Sequence, residues 1–305
     1  MRVVPLSEAL GAELVDFDIG RPCSDEEQAE LRELFAAHHL LLVRGQEVTA
    51  EDQSRFVGSF GPLHTRADGM KETYVTNITA EGEPAPRTGT ARLIWHQDGT
   101  YGLRPGIATS LWAREVVPDA VPTMFANAVR ALDRMPAATR ARIEPLHVMH
   151  LRDIEEERTD HRWREEDVPA DARPGRFLRH EHPIVYTMPH TGMQTILVNE
   201  LLTSHVVELP RDEGEALIQE LFSMIYADDN VYAHHWRTND VIIWDNMALH
   251  HCRPAEMGLP VRRLRRQSID GWYSDTGVLE WPETVVAYAG GTGDGPDSAG
   301  GSAAR

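Results

Sequence analysis

The chain lacks the regular alternation of strand and helix that a doubly wound sheet requires, and it has no glycine-rich nucleotide turn. Short runs of strand length recur instead, over residues 2–4, 13–17, 40–44, 108–113, 123–126, 183–186, 194–198, 231–232, 241–244 and 261–269. Two helices near the front, a short one over 127–135 and a late one over 213–227 accompany them. This pattern predicts a mainly β fold with helices. The expected core is a double-stranded β-helix (an antiparallel, cupin-like jelly roll) flanked by α-helices. With 305 residues, one domain over 1–289 is expected, followed by a Gly, Ser, Ala and Asp tail over 290–305 that should be disordered.

Local signals set several boundaries. Ser24 with Glu27 forms a capping box, and Leu31, Leu34 and Phe35 follow at helical spacing up to His38-His39. Leu40 to Arg44 reads as a strand buried on both faces. A second helix starts at Thr49, turns Phe56 and Phe60 to one side, and stops at Gly61-Pro62. Residues 64–88 are polar and rich in Gly, Pro and Thr, and read as a loop. Residues 150–176 are a dense mix of Arg, Asp and Glu. Such a run is either a solvated segment or, between core strands of an enzyme, an active-site lid, so 150–182 is taken as a lid insert.

Charge narrows the partners. A net charge of −18 argues against nucleic acid and against an anionic membrane surface. No apolar run reaches the roughly 18 residues of a membrane helix, and the first residues lack a signal-peptide core, so a cytoplasmic protein is expected. Cys23 and Cys252 stand far apart, in no metal-type spacing, and read as reduced thiols.

The chemistry gathers around Trp95-His96-Gln97-Asp98. On a strand, His96 and Asp98 point to one side and Gln97 to the other. An imidazole beside a carboxylate supplies two ligands of a 2-His-1-carboxylate facial triad, which leaves room on a non-haem Fe(II) for a bidentate cosubstrate and O2. Alone, such a tripeptide also occurs as two solvent-facing polar residues. Downstream features strengthen it. Trp244-Asp245-Asn246 ends an apolar strand, and His250-His251 follows with a candidate third ligand. Adjacent side chains of an extended segment diverge, so one of the two histidines reaches the metal, and the spacing favours His251.

Arg262-Arg263-Leu264-Arg265-Arg266 comes next. Strand alternation puts Arg262 and Arg266 on one face. Arginines projecting into a pocket need anions, and Arg262 with the Thr123 hydroxyl suits the distal end of a dicarboxylate. Arg263 and Arg265 are expected on a solvent-facing side. Arg266 has two readings, an anchor for an anionic substrate or a partner for a carboxylate of the acidic 153–167 segment. A zinc hydrolase and a non-catalytic jelly-roll binding protein stay open beside the oxygenase on these residues alone.

Taken with Leu10-Gly11-Ala12-Glu13, Phe60-Gly61-Pro62-Leu63 and Val198-Asn199, these motifs resemble the taurine dioxygenase / 2,4-dichlorophenoxyacetate dioxygenase family of Fe(II)- and 2-oxoglutarate-dependent oxygenases. The resemblance implies His96, Asp98 and His251 as iron ligands at the catalytic centre. It implies Arg262 and Thr123 as 2-oxoglutarate contacts, and Arg266 at a position that pairs with an anionic group of the prime substrate in several members. The cofactors so implied are Fe(II), 2-oxoglutarate and O2. The implied outcome is C–H oxidation, by default hydroxylation, with desaturation or ring expansion as variants. The implied partner is a small molecule carrying a carboxylate or sulfonate, and a homo-oligomer (dimer or tetramer) is compatible with it. Met247, where the family commonly has Arg, and the doubled imidazole of His250 depart from the pattern. Arg92 and Tyr101 occupy pocket positions and are expected to face substrate.

Overall fold

The computed structural model describes residues 1–65, 69–77, 91–156, 158–255, 261–274 and 277–279. Part of the expected 64–88 loop and the whole 290–305 tail lie outside the described residues.

Two sheets face each other and form the jelly roll. The larger has the order β1 (Arg2–Pro5), β2 (Ala12–Val15), β3 (Leu40–Val43), β14 (Val241–Asp245), β6 (Ala108–Val116), β16 (Arg262–Ile269) and β4 (Thr73–Thr76). Its pairs are antiparallel except β2 with β3, which run parallel. The smaller has the order β13 (Val231–His234), β7 (Thr123–Asn127), β15 (Leu249–Arg253) and β5 (Leu93–His96). Phe125 of the small sheet meets Trp244 of the large one edge-on at 5.3 Å, which closes the core between them.

Three smaller assemblies flank this core. β8 (His147–Asp153) pairs with β9 (Phe177–Pro183) and β12 (Thr203–Val206), while β10 (Val185–Thr187) pairs with β11 (Gln194–Ile196), and β17 (Trp272–Ser274) with β18 (Gly277–Leu279). Strands β4, β8, β9, β12, β15, β17 and β18 were not expected from the sequence. β4 lies within the polar 64–88 stretch, and β8 and β9 enclose the charged segment.

Helices cover the outer face of the large sheet. α1 (Asp25–His38) carries the Ser24–Glu27 capping box, buries Leu31 and Phe35, and ends with His39 in the left-handed region at φ 60°. α2 (Ala50–Gly58) is capped by Thr49 and Asp52 in the same reciprocal way and buries Phe56 and Val57. Phe60, just past its end, packs edge-on to Phe56 at 5.4 Å and against Phe35 at 5.2 Å. Gly61 then has to be glycine, because an added Cβ would lie 2.1 Å from the Gly271 carbonyl oxygen. α3 (Ala128–Asp133), α4 (Ala137–Ile143) and α5 (Arg211–Ile225) build a second apolar cluster with Leu217, Leu221 and Val148. No helix among the described residues is long and apolar enough to cross a membrane.

Helix α2 corrects one expectation. It packs on the outer face of β16, so that face is not solvent. Arg265 is only 4% exposed and donates to Gln53 Oε1 at 2.7 Å and to Glu72 Oε2 at 3.2 Å. Arg263 is half-buried, with Glu115 at 3.5 Å. A register shift between Arg263 and Leu264 accompanies the difference.

Candidate active site

β5 and β15 are neighbours, with His96 directly opposite His251. That register brings the two imidazoles to 4.0 Å between ring centroids. Asp98, just beyond β5, completes the group: its Oδ1 lies 3.6 Å from His96 Nε2 and its Oδ2 4.0 Å from His251 Nε2. One donor atom from each of the three lies within 4.8 Å of the others. His96 Nδ1 sits 3.0 Å from the Ile94 carbonyl, a bond that protonates Nδ1 and leaves the Nε2 lone pair toward Asp98. Burial holds both imidazoles neutral: His96 is pushed below its usual value against the pull of Asp98, and His251 further still. Burial works against the Asp98 charge, but Arg266, then His251 and His96, hold its carboxyl well below the usual range. Two neutral imidazoles and one carboxylate are the donor set a divalent iron takes.

His250 turns the other way. Its Nδ1 meets the Tyr226 hydroxyl at 3.0 Å, and its Nε2 the Ile196 carbonyl at 3.4 Å.

A cavity of about 220 Å³ opens between the sheets beside the triad, lined by Thr123, Trp244, Arg253, Arg262 and Arg266 among others. Arg262 is 2% exposed, and its guanidinium donates to Thr123 Oγ1 at 2.8 Å and lies 5.6 Å from the Trp236 ring. Its backbone amide is held by Asn77 Oδ1 at 2.9 Å, while its Nε has no partner. Among the described residues no carboxylate pairs with it. Burial, then the nearby Arg253, push it down to about 9, so it remains a cation at neutral pH.

Arg266 lines the same cavity and donates to Asp98 Oδ2 at 2.8 Å and to Thr109 Oγ1 at 3.3 Å. Its carboxylate is thus a member of the triad, not one from the 153–167 segment. A second chamber of about 110 Å³ shares Leu93, His96, Asp98 and Thr159 with the first and adds Tyr101, Arg152, Glu156 and Trp163. Tyr101 therefore reaches the site. Arg92 does not: it is exposed and lines a separate cavity with Trp95, Tyr226 and Cys252. The reason is a register shift that puts Leu93 opposite Arg253 two positions after His251, which breaks the alternation that would have placed Arg92 on the His96 face.

Sequence reasoning missed Arg253, Trp244 and Arg152. Arg253 was within reach, since it shares the His251 face of one strand. Trp244 meets His251 edge-on at 5.0 Å and walls the cavity. Arg152 carried no local signal, being one arginine in a run of many.

A jelly roll that brings two imidazoles and a carboxylate together at the mouth of a pocket floored by a buried arginine is the architecture of a non-haem iron oxygenase. The model of the taurine catabolism dioxygenase TauD, TfdA family matches residues 2–267, and the chain belongs to that family. It is 25% identical over 280 residues to the alpha-ketoglutarate-dependent 2,4-dichlorophenoxyacetate dioxygenase of Cupriavidus pinatubonensis, covering 86% of this chain and 95% of that one. It is 25% identical over 277 residues to pentalenolactone F synthase of Streptomyces avermitilis, covering 85% and 90%. The crystal structure of a taurine dioxygenase from Burkholderia xenovorans shares the fold, with a TM-score of 0.69 at 24% identity over 92% of this chain and 96% of that one. The protein is a 2-oxoglutarate-dependent dioxygenase that uses Fe(II), 2-oxoglutarate and O2. Family membership sets aside the zinc hydrolase and the non-catalytic binding protein.

Proposed function

We propose that His96 Nε2, His251 Nε2 and a carboxylate oxygen of Asp98 hold the iron, and that Arg262 and Thr123 hold the distal carboxylate of 2-oxoglutarate. The observation that carries this is the buried Arg262 cation, which faces the triad's cavity with a hydroxyl partner and, among the described residues, no carboxylate. Leaving a guanidinium so would be costly unless a ligand supplied the anion. When bound, the iron and its cosubstrates supply the oxidant that breaks a C–H bond of a small molecule, 2-oxoglutarate becoming succinate and CO2. The chain's own residues do the rest. Ile94 fixes the His96 tautomer, Arg266 and Thr109 hold one oxygen of Asp98, and Trp244 gives the inner cavity an apolar wall.

The substrate enters the chamber beside Tyr101, and it is a small carboxylate or sulfonate. Support comes from the arginines around that chamber and from relatives named for a phenoxyacetate and for sulfonates. Hydroxylation is the first reading. Similarity to a pentalenolactone synthase favours oxidative tailoring of a biosynthetic intermediate, by desaturation or ring expansion, as the second. The free thiols of Cys23 and Cys252 suit a cytoplasmic enzyme.

Adding Fe(II) and 2-oxoglutarate to the anaerobic protein should produce a visible charge-transfer band that disappears in His96→Ala and Asp98→Ala. A band of unchanged intensity in both variants removes the assignment. Scoring succinate formation across a substrate panel then identifies what couples.

A further inference from the structure

We propose that Arg152, held by Tyr101, is the anchor for the anionic group of the prime substrate, while Arg266 serves as a positioning residue for Asp98. This rests on the iron and 2-oxoglutarate assignments above and extends them to the substrate.

The arginines near the triad differ in whether a protein group already engages them. Arg266 has one, its 2.8 Å bond to Asp98, reinforced by Thr109. Arg262 lies in the other chamber, at the Thr123 hydroxyl. Arg158 faces the outer chamber but gives its charge to Asp167 at 2.6 Å and stacks on Trp163 at 3.8 Å. Arg152 remains.

Its isolation stands out because its surroundings are rich in carboxylates. Between 147 and 183 every other arginine is claimed: Arg158 by Asp167, Arg162 and Arg164 by Glu215, Arg173 by Glu155, Arg176 by Asp153 and Arg179 by Glu165. Among the described residues Arg152 pairs with none of them. Its sequence neighbour Asp153 points to the opposite side of β8, fully taken by Arg176. Glu156 shares the chamber and still makes no ion pair with it.

Arg152 is nonetheless fixed in place. Its Nη1 donates to the Tyr101 hydroxyl at 3.2 Å, and its guanidinium carbon lies 5.2 Å from the centre of the Tyr101 ring. These contacts orient the planar fork without neutralising it. The result is a solvent-exposed cation with free donors that lines a chamber whose wall also includes His96 and Asp98. An oxyanion bound there in bidentate fashion would hold the attached carbon skeleton against the metal side of the chamber. Tyr101 and Trp163 supply an aromatic wall for that skeleton. The matching ligand is a compact carboxylate or sulfonate with an apolar body, and the Glu156 carboxylate in the same chamber repels a second anionic group. A monoanion therefore fits better than a dianion.

The test uses the anaerobic Fe(II)–2-oxoglutarate protein with benzoate and benzenesulfonate as probes and benzamide as the neutral control. Binding is read as a perturbation of the visible band. Arg152→Ala should weaken both anions by about 10- to 100-fold, the worth of a charge-assisted bond, and leave benzamide unchanged. Arg152→Lys should recover part of the loss. Arg266→Ala should instead alter the band itself before any probe is added. Three results would overturn the proposal. One is unchanged anion binding in Arg152→Ala, and another is loss confined to Arg266→Ala with its band intact. The third is a normal band in the unaltered protein with no response to either anion at about 10 mM. Absence of the band in the unaltered protein would instead count against the iron and 2-oxoglutarate assignments, and would remove this one with them.

Discussion

Asp245 Oδ2 accepts a 2.8 Å hydrogen bond from Nε2 of His190, while its Oδ1 accepts the backbone amides of Met247 at 3.0 Å and Ala248 at 3.1 Å. Both side chains are fully buried. One carboxylate thus fixes the turn between β14 and β15, and with it the approach to His251. Asp245→Ala should cost about 3–5 kcal/mol, because it strands several buried donors at once. Asp245→Asn, which keeps an acceptor for the turn amides, should cost less. Urea unfolding of the three proteins checks this, and a midpoint for Asp245→Ala equal to that of the unaltered chain would show the turn is held by other means.

His250 and His251 separate by their partners. His250→Ala removes one partner from the Tyr226 hydroxyl and one from the Ile196 carbonyl, a loss of about 1–3 kcal/mol, yet should retain iron. His251→Ala should lose iron with little change in the Tyr226 environment. Iron per chain after desalting decides it, and the reverse pattern would transfer the ligand role to His250.

Three arginines of β16 should give three different phenotypes. Arg262→Ala should raise the 2-oxoglutarate requirement by roughly 30- to several-thousand-fold, the cost of breaking a buried charge-assisted pair. Arg263→Ala, at the surface beside Glu115, should shift it less than about threefold. Arg265→Ala should act on stability, because Gln53 and Glu72 lose their partner under α2. Titrations of the charge-transfer band with 2-oxoglutarate, paired with thermal melts, distinguish the three, and equal band shifts for Arg262→Ala and Arg263→Ala would mean the two faces were exchanged.

Stability should fall as pH drops below neutrality, partly through His182. Burial, then the neighbouring His180, push this 2% exposed imidazole down to about 4, and its Nε2 donates to the Gly102 carbonyl at 3.0 Å. The unfolded chain takes up the proton first, near pH 6.5. The neutral folded form is therefore fully favoured above that pH and loses about 3 kcal/mol of advantage as pH falls toward 4. His182→Gln, which keeps a donor for Gly102, should flatten the dependence of the urea midpoint on pH between 6.5 and 5. An unchanged slope would assign the acid sensitivity elsewhere.

What the sequence revealed follows from where each signal resides. β3 and β14 are continuous apolar runs, and α1 and α2 carry their caps in adjacent residues, so each could be read without knowing its neighbours. β15 could not: Leu249-His250-His251-Cys252-Arg253 has no apolar alternation, yet all five residues are buried because both flanking strands and the metal pocket claim them. β8 and β9 look like solvated chain until they pair with each other. The triad was legible because H-x-D and the later His-His are local motifs. Arg265 was misplaced by strand alternation alone, since a covering helix overrides it, and Arg92 by the resemblance, since a register shift between β15 and β5 turns it away from the site.

Folding buries the Arg262 guanidinium against the Thr123 hydroxyl, with no carboxylate among the described residues to meet its charge. On the assignment proposed here, the molecule that meets it is a central metabolite. A ligand at a hundred times its dissociation constant adds about 2.7 kcal/mol to the folded state. On that assignment the rate at which a protease cuts this protein should fall as 2-oxoglutarate is added, so that one molecule acts both as cosubstrate and as guardian of the fold.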